Sequence, residues 1–409
     1  MKKVICLSSM KSKCFMLLTC LILLVGVTSC SSDDFEINLP NESKQLSKAE
    51  LIEQALNRMP QTRAGATEGV IMVTTKKEVK IRVLAMEDVT IDWGTGETTP
   101  ISKEDTTTKP YWFDADKSPY CIWIKGDKEA IKKLWVDDNE LIYLNVRNNT
   151  GLEFLDCGKN KLDTLRLTGC PNLKTVWANE SELSLIDVTD LSLLEDLFLE
   201  LNHLRSLDVS QNPNLQSLRV EYNWLTGIDV SKNTKLRTLE VGGNNITDLD
   251  LRKNRGLRRI SIESLYLQTL NGLPVDSASF GYFANLEELD VSYTDFTSLD
   301  LSNNPFVYGI DIDGTAITQL DISDLSIEYL HASFSNLTNL IYTIANLANS
   351  YDLRIDGTPF EYRANAFYDF ISDIPDRTGK SEGQLWTYSP YLTDFWTKII
   401  NAKNWRIYQ

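Results

Sequence analysis

Histidine is almost absent from this 409-residue chain, which has two, His203 and His331. They fall in different segments, and no P-loop, GxGxxG, GxSxG or HExxH pattern accompanies them, so catalysis has little material and neither an enzyme nor a cofactor is expected. Cysteine is scarce as well. Of seven, Cys6, Cys14, Cys20 and Cys30 lie in the first 30 residues, leaving Cys121, Cys157 and Cys170 with no CxxC pair, which removes a zinc or redox motif. The three read as small buried apolar groups, with a Cys157–Cys170 disulfide as the alternative. Positive charge is short: 41 Lys and Arg stand against 57 Asp and Glu, for a net −16. That excess excludes nucleic acid and electrostatic docking on anionic lipid, both of which need basic patches. Long apolar runs are missing too. The longest, residues 15–27, is below the roughly 20 residues that cross a bilayer. No EF-hand-like DxDxDG run exists; Asp311 and Asp313 form a fragment of one, and no metal site is expected.

Leucine is what the chain has. Ile131, Leu152, Leu173, Leu194, Leu215, Leu236 and Leu257 recur every 21 residues, and the phase resumes at Leu286, Val307 and, one residue early, Ile327. Each is followed by apolar residues three and five positions on and usually by Asn eight on, as in Leu152, Leu155, Cys157, Asn160. A fixed period with the frame LxxLxLxxNxL predicts a solenoid of stacked coils over 129–348. In LxL the outer pair points inward and the middle residue outward, as in any strand. Asn139, Asn160, Asn202, Asn223 and Asn244 would stack into a ladder that satisfies backbone groups at the turn. A second apolar set, such as Leu225, Ile228 and Val230, lines the opposite wall. One such coil cannot bury enough to fold alone, so the ends need covers.

The flanks differ in pattern. Residues 1–29, with Lys2, Lys3, Lys11 and Lys13 before the apolar run, have the layout of a secretory signal. Residues 30–65 read as a polar tether with one helix, started by Ser47 and Glu50 at capping-box spacing. Residues 66–128 alternate in the manner of short strands, forming a small β-rich unit that covers the first coil. The segment VTIDWGTGE (89–97) resembles the start of a β-sandwich of the polycystic-kidney-disease type. Beyond 349 the frame fails, and 349–409 reads as an α/β cap that uses Phe367, Phe370, Trp396 and Trp405. The insertion 271–285, with Pro274, Phe280, Tyr282 and Phe283, is a loop that either meets a ligand or folds its own aromatics back.

Two resemblances bear on function. Val27-Thr28-Ser29-Cys30 resembles the lipobox of bacterial lipoproteins, which implies lipidation of Cys30, and Ser31, Ser32, Asp33 and Asp34 resemble an export tag to the cell exterior. Loss of 1–29, with four lysines and no acid, would take the net charge from −16 to −20. Repeats such as LRSLDVSQNPNLQSLRVEYNWL (204–225), together with the PDRTGK and AKNW segments, resemble the leucine-rich repeat surface lipoproteins of Bacteroidota. The resemblance implies a non-enzymatic protein on the outer membrane, held by its N-terminal lipid alone and binding a partner outside the cell.

The solenoid frame then assigns the outward residues of the concave sheet. In successive coils the middle of LxL is Trp135, Asp156, Trp177, Phe198, Arg219 and Glu240. Glu221 lies on a neighbouring column, with Tyr222 and Trp224 at the strand exit. Water-facing Trp is usually covered by something, so Trp135, Trp177, Phe198, Glu221, Tyr222 and Trp224 are the candidate contacts of a ligand. A protein is the first expectation for that ligand and a glycan, stacked on the rings, the alternative; a bare structural spacer is a third reading. On the other side, Asp187, Asp208, Asp229, Asp250, Asp300 and Asp321 form a ladder expected to cap backbone N–H groups of the next coil.

Overall fold

The computed structural model describes residues 46–58, 69–114, 118–271, 273–274 and 280–409. The signal segment 1–29, Cys30, the Ser31–Asp34 stretch, much of the tether and part of the insertion lie outside the described residues. Residues Ser47–Gln409 form one compact unit.

That unit is a leucine-rich β-solenoid. One wall is a 15-stranded sheet, thirteen strands of which run in parallel from Ile131–Trp135 to Trp405–Tyr408. Its inward column is unbroken: Leu134, Leu155, Val176, Leu197, Leu218, Leu239 and Ile260 stand in register, followed by Leu289, Ile310, Leu330, Leu353, Leu385 and Ile407. The aliphatics of both walls join in a single apolar cluster running from the N-terminal strands to Trp405.

The β-rich lead-in is stitched into both walls. Its strands are β1 (Val70–Thr74), β2 (Glu78–Ala85), β3 (Val89–Asp92), β4 (Thr98–Ile101), β5 (Lys109–Trp112) and β6 (Tyr120–Lys125). Next come β7 (Ile131–Trp135) and β8 (Leu141–Asn145). β2 pairs antiparallel with β7 and so extends the concave sheet, while β1 pairs antiparallel with β8 and carries β6, β3 and β4 onto the second wall. The last strand on each N-terminal edge contains a proline, Pro110 in β5 and Pro100 in β4. A residue without an N–H blunts an edge against further pairing. Helix α1 (Lys48–Asn57) starts with the expected Ser47–Glu50 capping box and packs Leu51, Ile52, Ala55 and Leu56 on Ile71, Val73, Cys121 and Ile142.

At the other end the strand ladder outlasts the sequence frame. The strands Asp352–Arg354, Gly383–Trp386 and Trp405–Tyr408 keep the parallel register after the LxxLxL spacing is lost. Helices α2 (Ala364–Asp373) and α3 (Asp394–Ala402) occupy the stretches between them.

The second wall is extended rather than helical. Short parallel pairs appear at Thr164–Arg166 with Leu185–Asp187, Asp248–Leu249 with Thr269–Leu270, and Gln319–Asp321 with Asn339–Ile341. Among the described residues 3-10 turns occur at Ile344–Leu347 and Pro359–Tyr362. The aspartate ladder is local. Asp187, Asp208, Asp229, Asp250, Asp300 and Asp321 each accept the N–H two residues on in the same coil, not one from the next coil. A short carboxylate reaches its own turn before it reaches a strand spacing of about 4.8 Å.

Asparagine supplies the bonds between coils. Asn160 donates to the Val136 and Cys157 carbonyls and accepts the Leu141 N–H; Asn223 donates to Leu199 and Val220 and accepts from Leu204. A second ladder runs at the other turn, where Asn212, Asn233, Asn254 and Asn304 donate to carbonyls of the preceding coil. Cys170 holds that column too, its Sγ 3.0 Å from the Val146 carbonyl. Cys121, Cys157 and Cys170 are buried and free, without a disulfide. In the insertion, Phe280 and Phe283 turn inward, Phe280 meeting both Phe283 and Phe296, and Tyr282 is left exposed.

Candidate functional site: the concave face

The six candidates lie in two groups. Trp135, Trp177 and Phe198 share one outward column with Asp156 and Arg219 between or beside them, as parallel register requires. Each is half-buried, and each ring already has a neighbour on it. The Arg82 guanidinium of β2 lies 3.7 Å over the Trp135 ring, and Phe154 sits 5.0 Å from it. Trp177 and Phe198 stack on one another at 5.6 Å and 3°, with Arg219 over Phe198 at 4.7 Å. The rings therefore form a connected row in which each gives at least one face to a neighbour.

Glu221, Tyr222 and Trp224 belong to the coil after Phe198, at the exit of the strand Ser217–Arg219. Tyr222 has φ +53°, and its ring lies against Gly243 of the next coil, where an added Cβ would stand 2.5 Å from the ring. The arrangement recurs: Tyr293 lies over Gly314 and Phe334 over Gly357, again with all four residues at positive φ. Aromatic residues in one coil thus demand glycine in the following one. The result is a ridge of exposed rings, Tyr293, Phe334 and Tyr388, along one rim of the acidic sheet. Trp224 stands apart from that row, 42% exposed, with His203 stacked on one face at 4.7 Å.

The frame of one coil agrees with a family model. Residues 232–254 match the model described as Leucine Rich repeat. That match covers one coil, and the coils on either side keep its leucine frame. No curated protein matches the chain. Among solved structures, a leucine-rich repeat protein of Leptospira interrogans is similar at 16% identity over 69% of this chain and 84% of that one, with a TM-score of 0.49. An internalin of Listeria monocytogenes, InlF, is similar at 15% over 68% and 86%, with a TM-score of 0.48. The functional domain of InlJ, also from Listeria monocytogenes, is similar at 19% over 64% and 69%, with a TM-score of 0.39.

Across the middle repeats the concave face turns acidic. Glu200, Glu221 and Glu263 share one column, and Glu240, Asp290 and Asp311 the adjacent one. Burial first, then the neighbouring Glu240, Glu200 and Glu263, push the Glu221 carboxyl up to about 9. Burial and Asp311 raise Asp290 to about 7, and burial with Asp137 raises Asp156 to about 6. The strip ends at His331, whose ring lies 3.1 Å from Asp311 and 3.2 Å from Asp352. Burial disfavours the charged ring, but those two hydrogen bonds outweigh it and hold the imidazole up at about 9. Among the described residues no group of three or more His, Cys, Asp or Glu is disposed to hold a metal ion.

Three of these features were not read from the sequence as site elements. Arg82 comes to Trp135 only through the antiparallel pairing of β2 with β7, which no repeat spacing announces. Tyr329 reaches the Glu288 carboxylate, 3.0 Å away, because Gly309 leaves room for its ring. The aromatic–glycine pairs were legible, since Tyr222 and Gly243 are one period apart, but only a positive φ gives that spacing a meaning.

Proposed function

We propose that the chain is a binding scaffold that docks a protein through the concave face of its repeats, and that it is displayed on the outer membrane by a lipid on Cys30. The observation that carries the docking is a continuous acidic and aromatic sheet face rimmed by exposed rings, which offers charge and apolar area together. A protein suits it better than a glycan. Sugar rings stack on free aromatic faces, whereas Arg82, His203 and the Trp177–Phe198 stack already occupy faces of Trp135, Trp224, Trp177 and Phe198. The net −16 favours a basic or neutral partner.

The test is a binding screen of the chain against basic extracellular proteins and a glycan array, with Trp177→Ala and Trp224→Ala as variants. Capture of a protein, weakened about tenfold or more by either variant, is the expected result. Capture of glycans alone, or binding indifferent to both variants, overturns it. For the anchor, labelling with a fatty-acid analogue should mark the wild type and fail on Cys30→Ser, and surface proteolysis of intact cells should release the repeats. Unlabelled wild type, or repeats shielded from protease, would remove the surface-lipoprotein reading.

A further inference from the structure

The acidic strip is unevenly compensated. At its C-terminal end His331 and Arg354 serve Asp311 and Asp352. In its middle two cations are present, and both are committed. Arg219 lies 3.4 Å from Glu240, and Arg259 bridges Glu288 and, at 3.7 Å, the other oxygen of Glu240. Tyr222 donates its hydroxyl to Glu263 across Gly242, where an added Cβ would stand 2.4 Å from the Glu263 side chain. Glu221 is left with its neighbours' carboxyls, and its Oε2 is buried without a partner.

Between these groups the face sinks into a depression of about 210 Å³ lined by Ser261, Tyr329, the acids Glu221, Glu240, Glu263, Glu288 and Asp290, and Arg259, which is already committed to Glu240 and Glu288. Ser261 is the second, independent sign. It occupies the outward middle position of its strand, is only 7% exposed, and makes no side-chain hydrogen bond. The residue is withdrawn from the outer surface, and its hydroxyl is left with the depression as its outlet. An orphaned serine, an orphaned carboxylate oxygen and two further carboxyls around one cavity describe a receptor for a cationic donor group. A metal ion is disfavoured by the spread of the oxygens over four coils. A planar guanidinium with five donors spans such acceptors better than the point charge of an ammonium.

We propose that this depression is the socket for an arginine side chain of the protein ligand, with Glu221, Glu263 and Ser261 as acceptors and the Tyr329 ring as its apolar wall. The inference rests on the reading of the concave face as a protein-docking surface. In the free protein a proton on Glu221 stands in for the missing cation. Arginine entry expels it, because the charged groups that hold the proton on Glu221 are Glu240, Glu200 and Glu263, with Tyr222 beside them, and an added guanidinium tips that balance toward the carboxylate.

The experiment is calorimetric titration of the full chain with blocked hexa-arginine, hexalysine and hexacitrulline peptides at about 150 mM salt, a concentration that suppresses long-range attraction. Hexa-arginine should bind several-fold tighter than hexalysine, and hexacitrulline should give no heat. Glu221→Gln with Glu263→Gln should weaken hexa-arginine at least tenfold and Ser261→Ala about threefold, whereas Asp208→Asn with Asp229→Asn on the opposite wall should change nothing. At pH 7.5 the apparent enthalpy should differ between phosphate and Tris buffers by the release of up to one proton, and Glu221→Gln should erase that difference. Equal binding of hexacitrulline, or equal losses from the two double variants, overturns the socket. If the socket variants bind unchanged while Trp224→Ala abolishes capture of the protein ligand, the socket falls and the docking face stands. If Trp177→Ala and Trp224→Ala also leave capture intact, both fall.

Discussion

Glu221 is the residue at which burial, charge and pH meet. Its carboxyl is raised from the usual 4.5 to about 9, so between those values the folded chain holds a proton that the unfolded chain has released. The folded state then binds more protons, and stability falls as pH rises through that window. His331 acts in the same direction from the other side: its folded value of about 9 exceeds the ordinary 6.5, so its contribution is full below 6.5 and is lost as pH passes 9. The melting temperature should therefore decline from pH 6.5 to 9.5 in scanning calorimetry. Glu221→Gln should be more stable than wild type at pH 8 by roughly 1–3 kcal/mol, a gain that shrinks toward pH 4.5. A variant less stable than wild type at pH 8 would contradict the assigned protonation. The six contact candidates were legible as outward positions because strand alternation is strict. Their company was not: the cation over Trp135 comes from a segment 53 positions earlier in the chain, outside the repeat frame.

At the scale of the coil, stability resides in the turns as much as in leucine. Asn223→Ala would leave the Leu204 N–H without a partner in a buried turn, while the Leu199 and Val220 carbonyls keep the amides of Asn202 and Asn244, at a cost of roughly 1–3 kcal/mol in urea denaturation. Asp208→Asn, in an exposed turn that asparagine also serves, should stay within about 0.5 kcal/mol. Gly243→Ala meets both a φ of +63° and the Tyr222 ring. It should destabilise by about 1–2 kcal/mol from the backbone alone, with a further loss from the displaced ring. Tyr222→Ala should recover only the ring part, so a double-mutant cycle should show positive coupling. Additive losses would mean the ring and the glycine are independent. The first asparagine ladder follows from the frame. The second also recurs every 21 residues at Asn212, Asn233 and Asn254, yet the frame LxxLxLxxNxL has no slot for it.

The unit Ser47–Gln409 is assembled one period at a time, and its response to deletion should be periodic. Removing 215–235 takes out one full coil and brings Leu197 beside Leu239, so circular dichroism should keep the β signature with a melting temperature lower by a few degrees. Removing 215–220 instead shifts the frame by six, sets Thr226, Asn245 and Thr247 at inward positions and should unfold the chain. Equal outcomes would deny that the coils are interchangeable.

The sequence by itself determined the coil, because a 21-residue period, strand alternation and turn asparagines are local facts that repeat until nothing else fits. It also determined which side chains face outward. Tertiary structure alone decided how the unit is closed and what the outward residues meet. The lead-in strands join both walls by antiparallel pairing, and the last three strands keep the ladder after the leucine spacing has gone, through contacts between segments whose separation obeys no period. The depth of the acidic face was decided there too, since the burial that raises Glu221 comes from coils on both sides of it and exists only once they are stacked.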